Sequence, residues 1–244
     1  MKIYLTKDYE EMSQVAAQMV LKYMYSNDNK RINLSITAGQ TPKRTYEILS
    51  EFVKNKPYFE NVHYYNFDEI PIKGEKVGVT IRNLTNMYFR EAQIPEERIH
   101  VLDENNYQGF DRKIEADGGI DMVLMGLGWD GHFCGNLSGT VNSFDEETRA
   151  VSTYITDDMA KLLTKSVGGD PEKLFDYYVT YGPKTIMHCK NIIMIVNGKH
   201  KAQILKQTLF GPLDLLCPSS LLRLHPNFTL IVDEEAASEI KDLI

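Results

Sequence analysis

The chain is poor in cysteine, in tryptophan, in basic charge and in long apolar runs. Its 244 residues include 3 cysteines and 1 tryptophan. Cys134, Cys189 and Cys217 are odd in number and far apart. They offer neither a disulfide framework nor a metal-ligand spacing, so reduced thiols in a reducing compartment are expected. No apolar stretch approaches the roughly 18 residues that span a bilayer. The opening Met-Lys-Ile-Tyr-Leu lacks the apolar core of a signal peptide, and a cytoplasmic protein is expected. Lys and Arg total 27 against 34 Asp and Glu, for a net charge of −7. That balance argues against nucleic acid and anionic membranes as partners, but not against an anionic small molecule in a locally basic site. His63, His100, His188, His200 and His225 show no ligand spacing and no sign of a cluster, so no metal is expected.

What is present is an ordinary globular composition, 43% hydrophobic and 25% charged, long enough for a full core. Lys2 to Leu5 reads as an edge strand. Asp8 with Glu11 three residues on marks a helix start, and Met12, Val15, Ala16, Met19, Val20 and Tyr23 recur at helical spacing until Asn27 to Lys30. Apolar runs at Ile32–Ile36, Val62–Phe67, Met122–Met125, Asn191–Val196 and Phe228–Val232 read as buried strands, with shorter ones at Ile99–Leu102 and Tyr178–Thr180. Thr41 and Pro42 are placed as N-cap and first residue of a helix, Thr80 as the N-cap of another, and Asp233-Glu234-Glu235 as the opening of a last one. Repeated strand–helix alternation predicts an α/β fold, one largely parallel sheet with helices on both faces, over a single domain 1–244.

Three strand ends carry chemistry. Asp130-Gly131-His132 follows the glycine-flanked end of Met122–Met125, delivering a carboxylate and an imidazole to the crevice side of an open sheet. Thr37-Ala38-Gly39-Gln40-Thr41 joins a strand to a helix N-terminus, a phosphate cradle that matches neither the P-loop nor the dinucleotide fingerprint. Asp68-Glu69 ends a third strand, where one carboxylate can face the crevice. Lys199-His200-Lys201 opens a helix against its dipole, which a nearby anion would explain; solvated lysines are the default reading, as for Arg82. The aperiodic Ser143–Thr164 region is a lid hypothesis, and Trp129 a second wall or simple packing.

Four stretches in order, Thr37-Ala38-Gly39-Gln40-Thr41-Pro42, Asn66-Phe67-Asp68-Glu69, Gly126-Leu127-Gly128-Trp129-Asp130-Gly131-His132 and Ser220-Leu221-Leu222-Arg223-Leu224-His225-Pro226, together resemble the glucosamine-6-phosphate deaminase/isomerase and 6-phosphogluconolactonase superfamily. The resemblance implies a Rossmann-like fold acting on a sugar 6-phosphate without a redox cofactor, with more of the deaminase branch in it. It implies His132 in ring opening with Asp130 behind it, and Asp68 as the base of a proton shuttle. It also implies a phosphate held by Gly39, Gln40, Thr41 and Lys201, with Lys199 the nearby alternative to Lys201. One position departs: deaminases of this family carry a Glu five residues beyond the His, and here it is Leu137. Their phosphate-binding arginine has no clear match either, with Lys161 or Lys165 as substitutes. A lactonase, in which His132 activates water, and a non-catalytic sugar-phosphate sensor stand as alternatives. Oligomeric state and sugar epimer are not legible.

Overall fold

A computed structural model describes residues 1–25 and 30–244, without the side chain of Asp158. The helix break expected at Asn27 falls outside the described residues. Seven strands form one all-parallel sheet: β1 (Lys2–Thr6), β2 (Ile32–Ile36), β3 (Val62–Asn66), β5 (Ile99–His100), β6 (Met122–Met125), β9 (Ile192–Val196) and β10 (Phe228–Asp233). Their spatial order is β1-β10-β9-β6-β2-β3-β5, so β1 is indeed an edge. The central strands β6 and β9 are buried at every position, which is why they read as continuous apolar runs. Alternate residues divide between two cores. Met122 and Leu124 face the helices α1 (Tyr9–Met24) and α2 (Lys43–Val53), while Val123 and Met125 face α4 (Phe110–Ala116) and α7 (Ala202–Phe210).

Asp8 caps α1 as expected, accepting from the Glu11 N–H at 2.9 Å, and Met12, Ala16 and Val20 form its buried stripe. Other boundaries move. α2 is capped at Pro42 rather than Thr41, because a tight turn from Gln40 to Lys43 (3.2 Å) already brings Pro42 into helical geometry. The helix α3 (Val79–Leu84) is entered at Gly78, and Thr80 lies within its first turn. The last helix does not form. After Asp233 one four-residue bond (Ala237 to Asp233) gives way to three-residue bonds (Ser238 to Glu235, Ile240 to Ala237, Leu243 to Ile240), and the Asp233 carboxylate accepts from the N–H groups of Gly198 and Ala236.

A second sheet was not foreseen. β4 (Asp68–Glu69), β7 (Arg149–Ser152) and β8 (Tyr177–Thr180) run antiparallel, in the order β4-β8-β7. It packs with α5 (Asp157–Ser166) around Ile72, Val151, Leu163 and Tyr178. The aperiodic Ser143–Thr164 region therefore holds a strand and most of a helix. Two helical turns, α4 and α6 (Pro183–Met187), complete the order. All three cysteines are unpaired; Cys189 and Cys217 are buried and Cys134 is half-buried. Among the described residues no helix is long and apolar enough to cross a membrane.

The histidines hold one correction. His63 on β3 and His100 on β5 stack with ring centroids 5.1 Å apart, Nδ1 to Nε2 at 2.9 Å, beside Arg31. Adjacent parallel strands bring together residues that the sequence separates. Burial, with the charges of Lys113 and Arg31, holds His100 down at about 4, against an ordinary 6.5. A depressed histidine stabilises the native state above its unfolded pKa, and that stability is lost as pH falls from about 6.5 to about 4. With the ring half-exposed, solvent screening reduces the effect to about 1–2 kcal/mol. Urea midpoints at pH 7.5 and 5.0 are expected to differ less in His100→Asn than in the parent.

Candidate active site

The chain order reverses between β2 and β6: β3 and β5 lie on one side, β9, β10 and β1 on the other. In open parallel sheets the crevice beyond the carboxyl ends at such a point is the ligand site. Here the turns after β2 and β6 enclose a cavity of about 290 Å³.

The turn after β6 is folded around its own carboxylate. Asp130 Oδ1 meets His132 Nδ1 at 2.5 Å and accepts the His132 N–H at 3.2 Å, while Oδ2 accepts from Ser138 N–H at 3.0 Å. Burial raises the Asp130 carboxyl, but the His132 and backbone bonds outweigh it and leave it at about 2. An ionised Asp130 accepts a hydrogen bond from Nδ1–H, which fixes the tautomer whose lone pair is on Nε2. Gly131 sits at φ +84°, and a Cβ there would lie 2.6 Å from Cys217 Sγ. A Cβ on Gly128 would lie 2.1 Å from His132 Nδ1. The imidazole thus lies across the space that this glycine leaves open.

Asp68 and Glu69 divide by strand alternation. Asp68 lines the cavity; its Oδ1 accepts from the Thr80 hydroxyl at 3.0 Å. Burial pushes its carboxyl up to about 6, against the Thr80 bond and the His132 charge. Glu69 points away, 1% exposed, and caps α3 from outside by accepting the N–H groups of Ile70, Thr80 and Ile81 at 2.7–3.0 Å. That cap explains why Thr80 is not one, and frees its hydroxyl for Asp68. Asn66 holds the corner above, bonding Asp68 O and both backbone groups of Leu102.

On the opposite wall, Gly39 (φ +116°), Gln40 and Thr41 lead into α2, whose N-terminus favours an anion. Tyr46 donates to Thr37 O at 2.5 Å, and Tyr9 to Gln40 O at 3.2 Å, fixing the loop from below. Lys201 reaches the same cavity, half-buried, with burial pulling its pKa down despite the nearby Asp130 charge. Lys199 is exposed and lines no part of this cavity; nor do Lys161 and Lys165 on α5. Arg82 turns outward to Val77 O and Glu75.

The structure therefore brings Asp68, His132, Gly39, Gln40, Thr41 and Lys201 to one cavity, with Asp130 behind His132. Trp129, 68% exposed, lines its mouth. Two lining or supporting residues were not anticipated: Thr80 beneath Asp68, and Cys134, at φ +50°, with its thiol kept protonated by burial. Neither has a sequence signature, because each depends on contacts with β4. The segment after His132 is clamped by the small sheet. Tyr178 donates to Gly135 O at 2.7 Å, the Gly135 N–H donates to Thr180 Oγ1 at 2.8 Å, and Asn136 donates to Tyr181 O at 2.8 Å. Leu137 is thereby packed against the apolar cluster of α5 and β8.

The chain is similar to known proteins over nearly its whole length. Residues 7–230 match the family profile described as glucosamine-6-phosphate isomerases/6-phosphogluconolactonase. A glucosamine-6-phosphate deaminase of Thermoanaerobacter pseudethanolicus is 33% identical, over 99% of this chain and 96% of its own. One of Caenorhabditis elegans is 29% identical, over 99% and 92%. A solved structure of a monomeric glucosamine-6-phosphate deaminase superposes with a TM-score of 0.83 at 25% identity, covering 98% of this chain and 100% of that one. A 6-phosphogluconolactonase from Trypanosoma cruzi shares the fold, with a TM-score of 0.76 at 20% identity, covering 98% and 97%. With its switch-point cavity and a family match over nearly its whole length, this chain belongs to the glucosamine-6-phosphate isomerase/6-phosphogluconolactonase family.

Proposed function

We propose that residues 1–244 act as one amino-sugar 6-phosphate deaminase/isomerase, converting glucosamine 6-phosphate or its galacto epimer to the ketose 6-phosphate and ammonia. One observation carries this reading: a half-buried carboxyl raised to about 6 and a carboxylate-oriented imidazole face the same cavity as a phosphate cradle. The cradle and Lys201 hold the phosphate, and that remote binding positions the reacting carbons. His132 Nε2 takes the proton of the C1 hydroxyl and returns it to the ring oxygen, opening the pyranose. Asp68 removes the C2 proton and delivers it to C1; C1 is reduced as C2 is oxidised, so the step needs no outside electron acceptor. Water then adds to the C2 iminium, and the C2–N bond breaks to release ammonia. A base with a pKa near 6 is ionised at neutral pH and still gives its proton back.

The apolar Leu137 near His132 favours a second reading, lactone hydrolysis by water activated on His132. Asp68 has no carbon proton to move in that reaction, so this reading ranks below the first. Ammonia release from both epimers, with Asp68→Ala and His132→Ala as controls, tests the deaminase. Hydrolysis of 6-phosphogluconolactone without ammonia release would establish the lactonase instead.

Two residues can be checked separately. Lys201→Ala is expected to raise KM about 10- to 100-fold, the loss of one hydrogen bond to a charged group; unchanged KM would remove Lys201 from the site. Trp129 is the sole tryptophan. Its emission is expected to shift to shorter wavelength as glucosamine 6-phosphate saturates the cavity, and an unmoved spectrum would take the indole out of the wall.

A further inference from the structure

A second chamber, of about 280 Å³, opens beside the catalytic cavity, and Thr37, Ala38, Asp68, His132 and Cys134 line both. The two spaces differ in chemistry. The groups that fit a phosphate all lie in the first. The second is walled on one side by Ile70, Val79, Leu137, Leu163 and the ring of Tyr178, with Leu162 at its rim, 42% exposed; Thr37, Thr80, Asn83 and Ser166 are its neutral polar groups. Among its described lining residues there is no lysine or arginine, and Asp68 is the only carboxylate. A substrate with its phosphate under α2 and its reacting carbons between Asp68 and His132 would turn whatever C2 carries toward the aliphatic wall. A bare ammonium or hydroxyl gains nothing from five aliphatic side chains. Leu137 is held there by the bonds of its two neighbours, the Asn136 side-chain amide to Tyr181 O and the Ser138 N–H to Asp130, so the wall is pre-formed.

We propose that this chamber binds an alkyl group on the substrate's C2 nitrogen, so that the enzyme takes 2-alkylamino-2-deoxyhexose 6-phosphates and releases a primary amine. The proposal rests on the deaminase reading of the same site. The chemistry closes without a new reactant. Asp68 moves the C2 proton to C1, leaving a C2 iminium that bears the alkyl group. Water adds at C2, the C2–N bond breaks, the nitrogen takes up a proton, and ketose 6-phosphate and a primary amine depart. An N-acyl substituent of the same size fits the space, but its nitrogen lone pair is drawn into the carbonyl and does not form the iminium. Such compounds are inhibitors, not substrates.

The test is a series of glucosamine and galactosamine 6-phosphates carrying hydrogen, methyl, propyl or butyl on nitrogen, with the N-butyryl compound as the contrast. Ketose 6-phosphate and released amine are quantified separately. kcat/KM is expected to rise about 3- to 4-fold per added methylene until the chamber is filled, and the N-butyryl compound to inhibit competitively without turnover. The rise is expected to flatten in Leu137→Asn and in Leu162→Asn, the latter at a rim position outside the core. Ammonia release from the parent sugars with kcat/KM flat or falling along the series would overturn the proposal and leave the deaminase standing. No ketose from any member would overturn both.

Discussion

Asp68→Asn is expected to lower kcat for ammonia release by about 10²- to 10⁴-fold, the range for loss of a positioned general base, with KM changed far less. Asparagine keeps the shape and can still accept from the Thr80 hydroxyl, so the loss reports proton transfer and not a collapsed site. The pH profile provides the second readout. In the proposed reaction only the ionised carboxylate takes the C2 proton, so kcat/KM of the parent is expected to fall as pH drops through about 6. That limb should be missing from the residual activity of the variant. Stability moves the other way. A carboxyl raised from 3.8 to about 6 makes the native state bind more protons than the unfolded chain in that window, so stability falls as pH rises through it. Above pH 6 the cost is about 3 kcal/mol, and Asp68→Asn is expected to recover about 1–3 kcal/mol of it at pH 7. Urea denaturation at pH 7 and pH 3.5 checks the sign: the gain should be present at the first and absent at the second. A variant as active as the parent would remove Asp68 from the chemistry.

Gly128→Ala is expected to cost about 10²- to 10³-fold in kcat with the fold intact. The backbone there is not in the left-handed region, so alanine is conformationally permitted. Its methyl, however, would lie 2.1 Å from Nδ1 and 2.3 Å from Cγ and Cε1 of His132. The ring must swing aside, and its 2.5 Å bond to Asp130 is lost with it. Because the damage passes through the imidazole, His132→Ala and the double variant should be equally impaired, a non-additivity that separates displacement of the ring from a general loosening of the turn. Additive losses in that cycle would contradict this account.

How much of this was legible depends on the range of the interactions. β6 and β9 were readable because strands buried on both faces are apolar at every position. The Asp8 cap was readable because its partner Glu11 is three residues away. The Asp130–His132 pair is likewise local, two residues apart and turned by Gly131. β4 and β7, two and four residues long, carry no period that could announce them. Without the small sheet, Thr80 reads as a helix cap, although its backbone serves Glu69 and its hydroxyl serves Asp68. His63 and His100 looked unrelated because only the β3–β5 register makes them neighbours. The choice of Lys201 over Lys199 turned on one helical step, which aims one ammonium at the cavity and leaves the other in solvent.

The sequence by itself determined the α/β alternation, the three strand ends that carry chemistry, and the residue types able to open a sugar ring and hold its phosphate. Each of these follows from contacts within a few residues, where side-chain period and turn stereochemistry decide. Only the tertiary structure decided that those ends meet at one switch point, that Asp68 is buried enough to be raised to about 6 while Asp130 is held at about 2, and that Leu137 walls a second chamber. Burial and clefts arise from packing between segments far apart in the chain, and no local pattern encodes them.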